Sequence, residues 1–200
     1  MVRKGFAVDG EANKGQTGNG SNRAGPDDSL KRNALRGFTK FAVLIFLFIA
    51  VMLIRIFIVD VVTVSGDSMV PSFVDGDILL LNKRDSLIAR YDVVVVRQKH
   101  QKIIKRVIGL PGETISIVDG DVFVDGIALE GEYAFITADG GVASTPYTLG
   151  DDEYFLMGDN RSGSADSRMY GAFDDDSIKG VVTYRLFPLD ITGAIPHGKK

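Results

Sequence analysis

The segment from Phe41 to Val59 most constrains what this chain can fold into, because it is apolar at every position except Arg55. Nineteen residues of helix, at about 1.5 Å each, reach roughly 28 Å, which is close to the hydrocarbon thickness of a bilayer. A buried core helix is the alternative. Such helices rarely lack polar residues on every face, whereas the fourteen positions from Phe41 to Ile54 contain none. Arg55 lies near the C-terminal end of this segment, where its long side chain can reach water. The sequence therefore predicts a transmembrane helix over residues 38–59.

The charge on the two flanks of this helix predicts its orientation. Residues 1–40 carry eight basic and four acidic side chains, whereas the rest of the chain carries fifteen basic and twenty-two acidic ones. The positive flank of a single span is normally cytoplasmic. We therefore expect a single-pass protein of the cell membrane, with residues 1–37 as a disordered cytoplasmic tail and the following domain outside. A cleavable signal peptide is the alternative, but the polar leader and the apolar run are too long for one.

Residues 60–190 are predicted to form a compact, mostly β domain of antiparallel sheets, followed by a C-terminal tail at 191–200. Short apolar runs bounded by polar or turn residues indicate strands. These runs are Val61–Val64, Asp77–Asn82, Asp92–Arg97, Lys102–Ile108, Glu113–Val118, Glu153–Met157 and Gly180–Phe187. Asp119-Gly120 and Asp125-Gly126 favour tight hairpins, within a minimal accessory hairpin region over about 113–150. No internal repeat is present.

Ser68 lies in the polar stretch Ser65–Pro71, directly after the first predicted strand. Serine, glycine and aspartate favour turns for conformational reasons, so Ser68 is either a turn residue or a nucleophile. A nucleophile needs a base, and the chain contains no cysteine and only two histidines, His100 and His197, both in polar, lysine-rich surroundings. If Ser68 is a nucleophile, a lysine is therefore the better candidate for its base.

Lys105 is the lysine that best fits this role. In a strand, alternate residues share a face, so Lys105 lies between Ile103 and Val107. Burial among apolar groups disfavours the charged amine and lowers its pKa, which would let it act as a base near neutral pH. The alternative is a lysine whose stem is buried and whose ammonium group remains in water.

The polar stretch from Gly158 to Arg168 follows the predicted strand Glu153–Met157. It is either a solvated loop or a supporting shell, in which a hydroxyl orients the lysine amine and Asp-Arg pairs fix the loop. The acidic runs Asp151–Glu153 and Asp174–Asp176 raise the possibility of a metal site, but adjacent carboxylates are typical of solvated loops. We predict no metal and no cofactor.

Taken together, three stretches in this order behind an N-terminal anchor resemble the bacterial type I signal peptidases, which are membrane-bound Ser-Lys endopeptidases. The stretches are Gly66–Phe73, Lys105–Glu113 and Gly158–Arg168, and the resemblance extends from about Val61 to Phe187. It implies that Ser68 is the nucleophile, that Lys105 is the general base and that the backbone N–H of Ser68 is an oxyanion donor. It also implies supporting roles for four residues of the third stretch: Asp159, Ser164, Asp166 and Arg168.

The resemblance further implies the substrate class. Secreted preproteins emerging from the translocation machinery would be cut after Ala-x-Ala-like sites at the surface of the lipid bilayer, and no nucleic acid is involved. Small apolar pockets for the side chains one and three residues before the cut are expected from Val62, Val64, Met69, Phe73, Ile103 and Ile104. A membrane-tethered β binding module, or a catalytically inactive relative, is the alternative. Self-cleavage like that of the SOS repressors is a third alternative, but the sequence shows no clear cleavable linker.

Three positions depart from the family pattern. Gly66 provides no hydroxyl, whereas some family members use one at this position as a second oxyanion donor. Tyr91 stands where the family usually has glycine, and Ser72-Phe73 replace the common Thr-Leu. These differences affect the expected oxyanion hole and pocket shape and leave the expected chemistry unchanged.

Overall fold

The computed structural model describes residues 26–84, 87–131, 133, 135–137, 139–196 and 198. Its longest element is helix α1, Pro26–Phe57. Within α1, Lys31–Phe57 is long and apolar enough to cross a membrane. The helix begins at Pro26, where proline fits the first helical position, so α1 overlaps residues 26–37 of the predicted tail. The predicted tail over residues 1–25 lies outside the described part of the chain.

An antiparallel sheet of eight strands forms most of the remaining structure. Its path is β1-β2-β11-β3-β4-β9-β10, and β12 pairs with the outer part of β11. The strands are β1 Val59–Thr63, β2 Ile78–Asn82, β3 Val93–Gln98, β4 Gln101–Gly109, β9 Glu153–Met157, β10 Phe173–Asp174, β11 Ile178–Phe187 and β12 Gly193–Ala194. The predicted mostly β, antiparallel fold is confirmed.

A second antiparallel sheet occupies the region in which we predicted an accessory hairpin. It consists of four strands in the order β7-β6-β5-β8. They are β5 Thr114–Val118, β6 Asp121–Val124, β7 Ile127–Ala128 and β8 Tyr147–Thr148. Both predicted Asp-Gly hairpins are present, with positive φ at aspartate and glycine alike, which matches the twist that two-residue hairpin loops require. The predicted hairpin region thus contains two linked hairpins, and β8 pairs with β5 to complete the small sheet.

The packing of the core explains why the sequence of β3, the middle strand of the large sheet, is a continuous apolar run. Val93 to Val96 of β3 are at most 1% exposed, because both faces of the strand are covered. One cluster of buried side chains, which includes Val64 and Met69, packs beneath the Ser68 turn. Packing on this cluster fixes the backbone that carries Ser68.

Two strand edges remain open beside the Ser68 turn. Among the described strands, β1 pairs with β2 alone. The first half of β4, residues 101–105, pairs only with β3, because β9 joins β4 from Arg106 onward. Unpaired edges offer N–H and C=O groups to an additional strand.

Candidate active site

Ser68 and Lys105 are brought together although 37 residues separate them in sequence. The Nζ of Lys105 donates a hydrogen bond to the Oγ of Ser68 at 2.8 Å. Ser68 lies in the turn that follows β1, and Lys105 is in the middle of β4 with only 3% of its surface exposed. A serine hydroxyl this close to a buried amine has the geometry of a nucleophile and its base.

The surroundings of Lys105 favour its neutral form. Burial lowers the pKa of the Lys105 amine, whereas the nearby carboxylates of Asp166 and Asp159 act in the opposite direction. The guanidinium of Arg168 adds to the lowering, and the pKa remains below its ordinary value. A neutral amine can accept the hydroxyl proton of Ser68, which a fully charged ammonium group cannot do.

The Ser68 turn is fixed to the polar loop at 158–166 by hydrogen bonds from Asn160 to backbone carbonyls of the turn. The N–H of Asn160 donates to the carbonyl of Ser68 at 3.1 Å, and its side-chain amide donates to the carbonyl of Asp67 at 3.2 Å. The N–H of Ser68 itself has no acceptor among the described residues. It therefore remains available to a developing oxyanion. We did not predict the role of Asn160, although it lies within the third stretch of the resemblance.

Gly158 and Ser164 lie directly beside this turn. A Cβ on Gly158 would collide with the Ser164 side chain and with the carbonyl oxygen of Ser68, so this close approach requires glycine. The Oγ of Ser164 is buried and makes no hydrogen bond of normal geometry with the described residues, although it lies near enough to Asp166 to help lower the pKa of that carboxyl. The hydrogen bond that would orient the Lys105 amine is thus not formed, and a positioning role for Ser164 stays a prediction.

Two arginine–carboxylate pairs support the dyad. Arg106 donates to Asp159 through two bonds of 2.8 and 2.6 Å, and Arg168 donates to Asp166 through two bonds of 2.9 Å. Although burial alone would raise the pKa of Asp166, hydrogen bonds from Arg168 and from the N–H of Gly158 outweigh it and lower the pKa. The Asp166 carboxylate therefore remains charged, and each of the two carboxylates fixes a different end of the loop.

Arg106 was missing from the predicted site, although it directly follows Lys105. Alternation along β4 places the two side chains on opposite faces, so Arg106 supports the site from behind. Its guanidinium also lies 3.7 Å from the ring centre of Tyr133 and donates to the carbonyl of Tyr91. A single sequence contains no signal that pairs Arg106 with Asp159, because 53 residues separate them.

Arg161 is a second supporting residue that we did not predict. It donates to the backbone carbonyls of Gly158, Phe135 and Tyr133, and burial lowers the pKa of its guanidinium to about 10. These bonds attach Tyr133 and Phe135 to the polar loop.

A small cleft opens beside the dyad, with a volume of about 180 Å³, and we refer to it as the Ser68 cleft. Four of the six predicted pocket residues line it, namely Val64, Met69, Ile103 and Ile104. The other lining residues are Thr63, Ser65, Ser68, Gln101, Lys102 and Lys105. Phe73 is only 3% exposed and, like Val62, packs in the cluster beneath the cleft. These two residues thus support the cleft from below.

Tyr91 and Gly66 both adopt left-handed backbone conformations. Tyr91 has a φ of 74°, a region in which side chains other than glycine are strained, and this explains why glycine would be the simpler residue there. Its hydroxyl donates to the carbonyl of Glu130, and its ring lies 5.6 Å from that of Tyr133. Tyr91 is not among the residues that line the Ser68 cleft. Gly66 has a φ of 81° and its N–H donates to Asp75.

Comparison with known proteins identifies the family of this chain. The sequence model of the family described as signal peptidase, peptidase S26, matches residues 36–187. Signal peptidase I P of Bacillus subtilis subsp. natto is 36% identical over 76% of this chain and 88% of its own length. Signal peptidase I of Bacillus amyloliquefaciens is 31% identical over 80% of this chain and 92% of its own. A crystal structure of a signal peptidase I from Enterococcus faecalis V583 covers 49% of this chain and 98% of its own, at 27% identity and a TM-score of 0.41.

Proposed function

We propose that this chain, which belongs to the peptidase S26 family of signal peptidases, removes signal peptides from exported preproteins with Ser68 as nucleophile and Lys105 as general base. The observation that carries this proposal is the 2.8 Å hydrogen bond between Lys105 Nζ and Ser68 Oγ in a buried environment. The family membership supplies the substrate class, and the dyad geometry supplies the chemistry.

The reaction begins when the neutral amine of Lys105 accepts the proton of the Ser68 hydroxyl. The Oγ then attacks the carbonyl carbon of the scissile bond, and the N–H of Ser68 donates to the resulting oxyanion. The Lys105 ammonium returns its proton to the nitrogen of the leaving peptide, and an acyl-enzyme forms. In the second half, Lys105 takes a proton from a water molecule that attacks the acyl carbon. The bond between that carbon and Ser68 Oγ breaks, and the Lys105 ammonium returns the proton to Oγ, which restores the starting enzyme.

The two open strand edges provide the means of holding the substrate. An extended peptide entering the Ser68 cleft can pair its backbone with β1 and with residues 101–105 of β4. Because the scissile carbonyl must lie at Ser68, the −1 side chain, directly before the cut, meets Val64 and Met69. Their apolar, close-packed surroundings admit alanine and exclude branched or charged side chains.

A panel of preproteins that differ at −1 tests the function and its specificity together. The detergent-solubilised full-length chain is expected to cut after alanine at −1, and to cut at least about tenfold more slowly after valine or lysine. Ser68→Ala should leave every preprotein intact while its thermal unfolding temperature stays within a few degrees of the unaltered chain.

The same assay distinguishes the alternatives. Folded wild-type protein that binds preproteins without cutting them would favour a tethered binding module or an inactive relative. Efficient cutting after valine or lysine would contradict the assigned pocket. Activity that vanishes with a chelator and returns with a metal ion would contradict the Ser-Lys mechanism and with it our expectation that no metal is needed.

In the proposed topology, Ser68 and Lys105 lie on the side of the membrane at which the substrate emerges. Four basic residues precede the apolar part of α1: Lys31, Arg32, Arg36 and Lys40. We infer a single pass with the N-terminus in the cytoplasm and the β domain outside, where preproteins leave the translocation machinery at the lipid surface.

This topology is tested with protease added to intact spheroplasts. We expect digestion of the domain that follows Val59 and protection of an epitope tag at the N-terminus. Permeabilised spheroplasts serve as the control, because both parts should then be digested. Loss of the tag with protection of the domain would reverse the orientation.

A further inference from the structure

An ion pair joins the two open edges that border the Ser68 cleft. The Nζ of Lys102 on β4 donates to the carboxylate of Asp60 on β1 at 3.3 Å, although β1 and β4 are not paired with each other. Lys102 also lines the cleft itself. The pair therefore lies where a peptide between the two strands would pass.

Side chains at two-residue intervals along β1 and β4 form a row of three positions that leads away from Ser68. We call each position a step. On β1 and the residue that follows it, Asp60, Val62 and Val64 share one face by strand alternation, and on β4 Lys102 and Ile104 share one face. Val62 and Ile104 both pack against the cluster that contains Val64 and Met69. Starting from Ser68, the first two steps of the row are therefore apolar, and the third, Asp60 with Lys102, is charged.

An extended substrate has the same two-residue period as this row. When the −1 side chain meets Val64 and the −3 side chain meets Ile104 above Val62, the −5 side chain falls on the third step. We propose that Asp60 and Lys102 form a charged subsite for the −5 side chain of the substrate and that this subsite prefers a carboxylate. The proposal rests on the proposed function and adds a specificity determinant to it.

The preference for a carboxylate follows from the charges around Asp60. Besides Lys102, two further cations approach this carboxylate, Arg55 at 3.6 Å and Lys83 at 4.0 Å. Lys83 is held in place because its Nζ donates to the carbonyls of Arg55 and Ile56 at the end of α1. Three cations thus face one carboxylate, so a carboxylate at −5 gains an attractive partner and an ammonium group at −5 is repelled.

The expected effect is modest because the cluster is open to solvent. The side chains of Arg55 and Lys102 are each 54% exposed, and exposed ion pairs change equilibria by only a few-fold. With Ala at −1 and −3, we expect kcat/KM to be about threefold higher for Glu than for Gln at −5, and about threefold lower for Lys. Screening by molar salt should remove most of this difference.

Substitutions of opposite sign provide the decisive test with the full-length chain in a nonionic detergent, which excludes lipid charge. Lys102→Glu leaves two cations facing two carboxylates, so the preference for Glu over Lys at −5 should disappear. Asp60→Asn removes the competing carboxylate, so the same preference should increase. The control Lys99→Glu makes the same charge change on the β3–β4 turn, outside the cleft lining, and should alter the preference less than twofold.

Each outcome has a defined meaning. Equal rates for Glu and Lys at −5 in the wild-type chain, with cleavage still abolished by Ser68→Ala, would overturn the subsite alone. If Lys99→Glu and Lys102→Glu changed the preference for Glu over Lys at −5 equally, the preference would come from the overall charge of the domain. That result would also overturn the subsite. Absence of cleavage of every peptide would overturn the proposed function and the subsite together.

Discussion

Replacing Lys105 with arginine is expected to reduce kcat/KM for preprotein cleavage by at least about a thousandfold. Arginine keeps the positive charge but does not yield a neutral base at any working pH, so the proton of Ser68 has no acceptor. Single-turnover cleavage by the detergent-solubilised chain measures the loss. Lys99→Arg, the same substitution at an exposed position of the β3–β4 turn, should keep wild-type turnover.

Arginine is larger than lysine, so misfolding has to be separated from loss of the base. Lys105→Met retains the length of the side chain without the amine and removes the cost of burying it. We expect Lys105→Met to be inactive and at least as resistant to thermal unfolding as the wild-type chain. Turnover near the wild-type rate in either variant would show that Lys105 is not the base.

The pH dependence of the reaction provides an independent readout of the same group. The active form is the neutral amine, so kcat/KM should rise with pH until the pKa of Lys105 is passed. Because burial lowers this pKa from the ordinary value of 10.5, the rise should end at a lower pH than an exposed lysine would allow. A rate that is constant with pH below neutrality would contradict the assignment.

The fold was predictable where local chemistry determines it. The strands β2, β3, β5, β9 and β11 begin and end within two residues of the predicted apolar runs, because alternating or continuous apolar residues between turn residues are sufficient to define a strand. The Asp-Gly turns were predictable for the same reason, since few residues accept two successive positive φ angles. The start of α1 at Pro26 was not predictable in this way, because residues 26–37 lack the apolar pattern that marked the membrane span.

The supporting residues of the site were predictable only in part. The resemblance placed Ser68 and Lys105 in their motifs, and the 2.8 Å contact between them agrees with that placement. The pairing of Arg106 with Asp159 depends on the register of β4 with β9, in which Arg106 lies opposite Met157, and no local pattern specifies this register. The burial of the Ser164 hydroxyl without a hydrogen bond of normal geometry was likewise not predictable, because it depends on side-chain positions within the packed loop.

The Arg106–Asp159 pair leads to the largest expected change in stability. Its two side chains are 3% and 0% exposed, so removal of one charge leaves the other buried without a counter-charge. We expect Asp159→Ala to lower the free energy of unfolding by about 3–5 kcal/mol, measured by urea denaturation in detergent. Glu113→Gln, which breaks the pair with Arg90 where both side chains are 19% exposed, should cost only roughly 1 kcal/mol.

A double substitution separates the cost of an unpaired charge from the loss of the pair itself. Arg106→Met combined with Asp159→Leu removes both charges and fills a similar volume, so it should recover at least half of the stability lost in Asp159→Ala. Cleavage should recover less than stability, because the apolar pair no longer fixes the loop at 158–166 to β4 beside Lys105. Equal stability of Asp159→Ala and the wild-type chain would contradict a supporting role for this pair, since a buried guanidinium without its carboxylate cannot be cost-free.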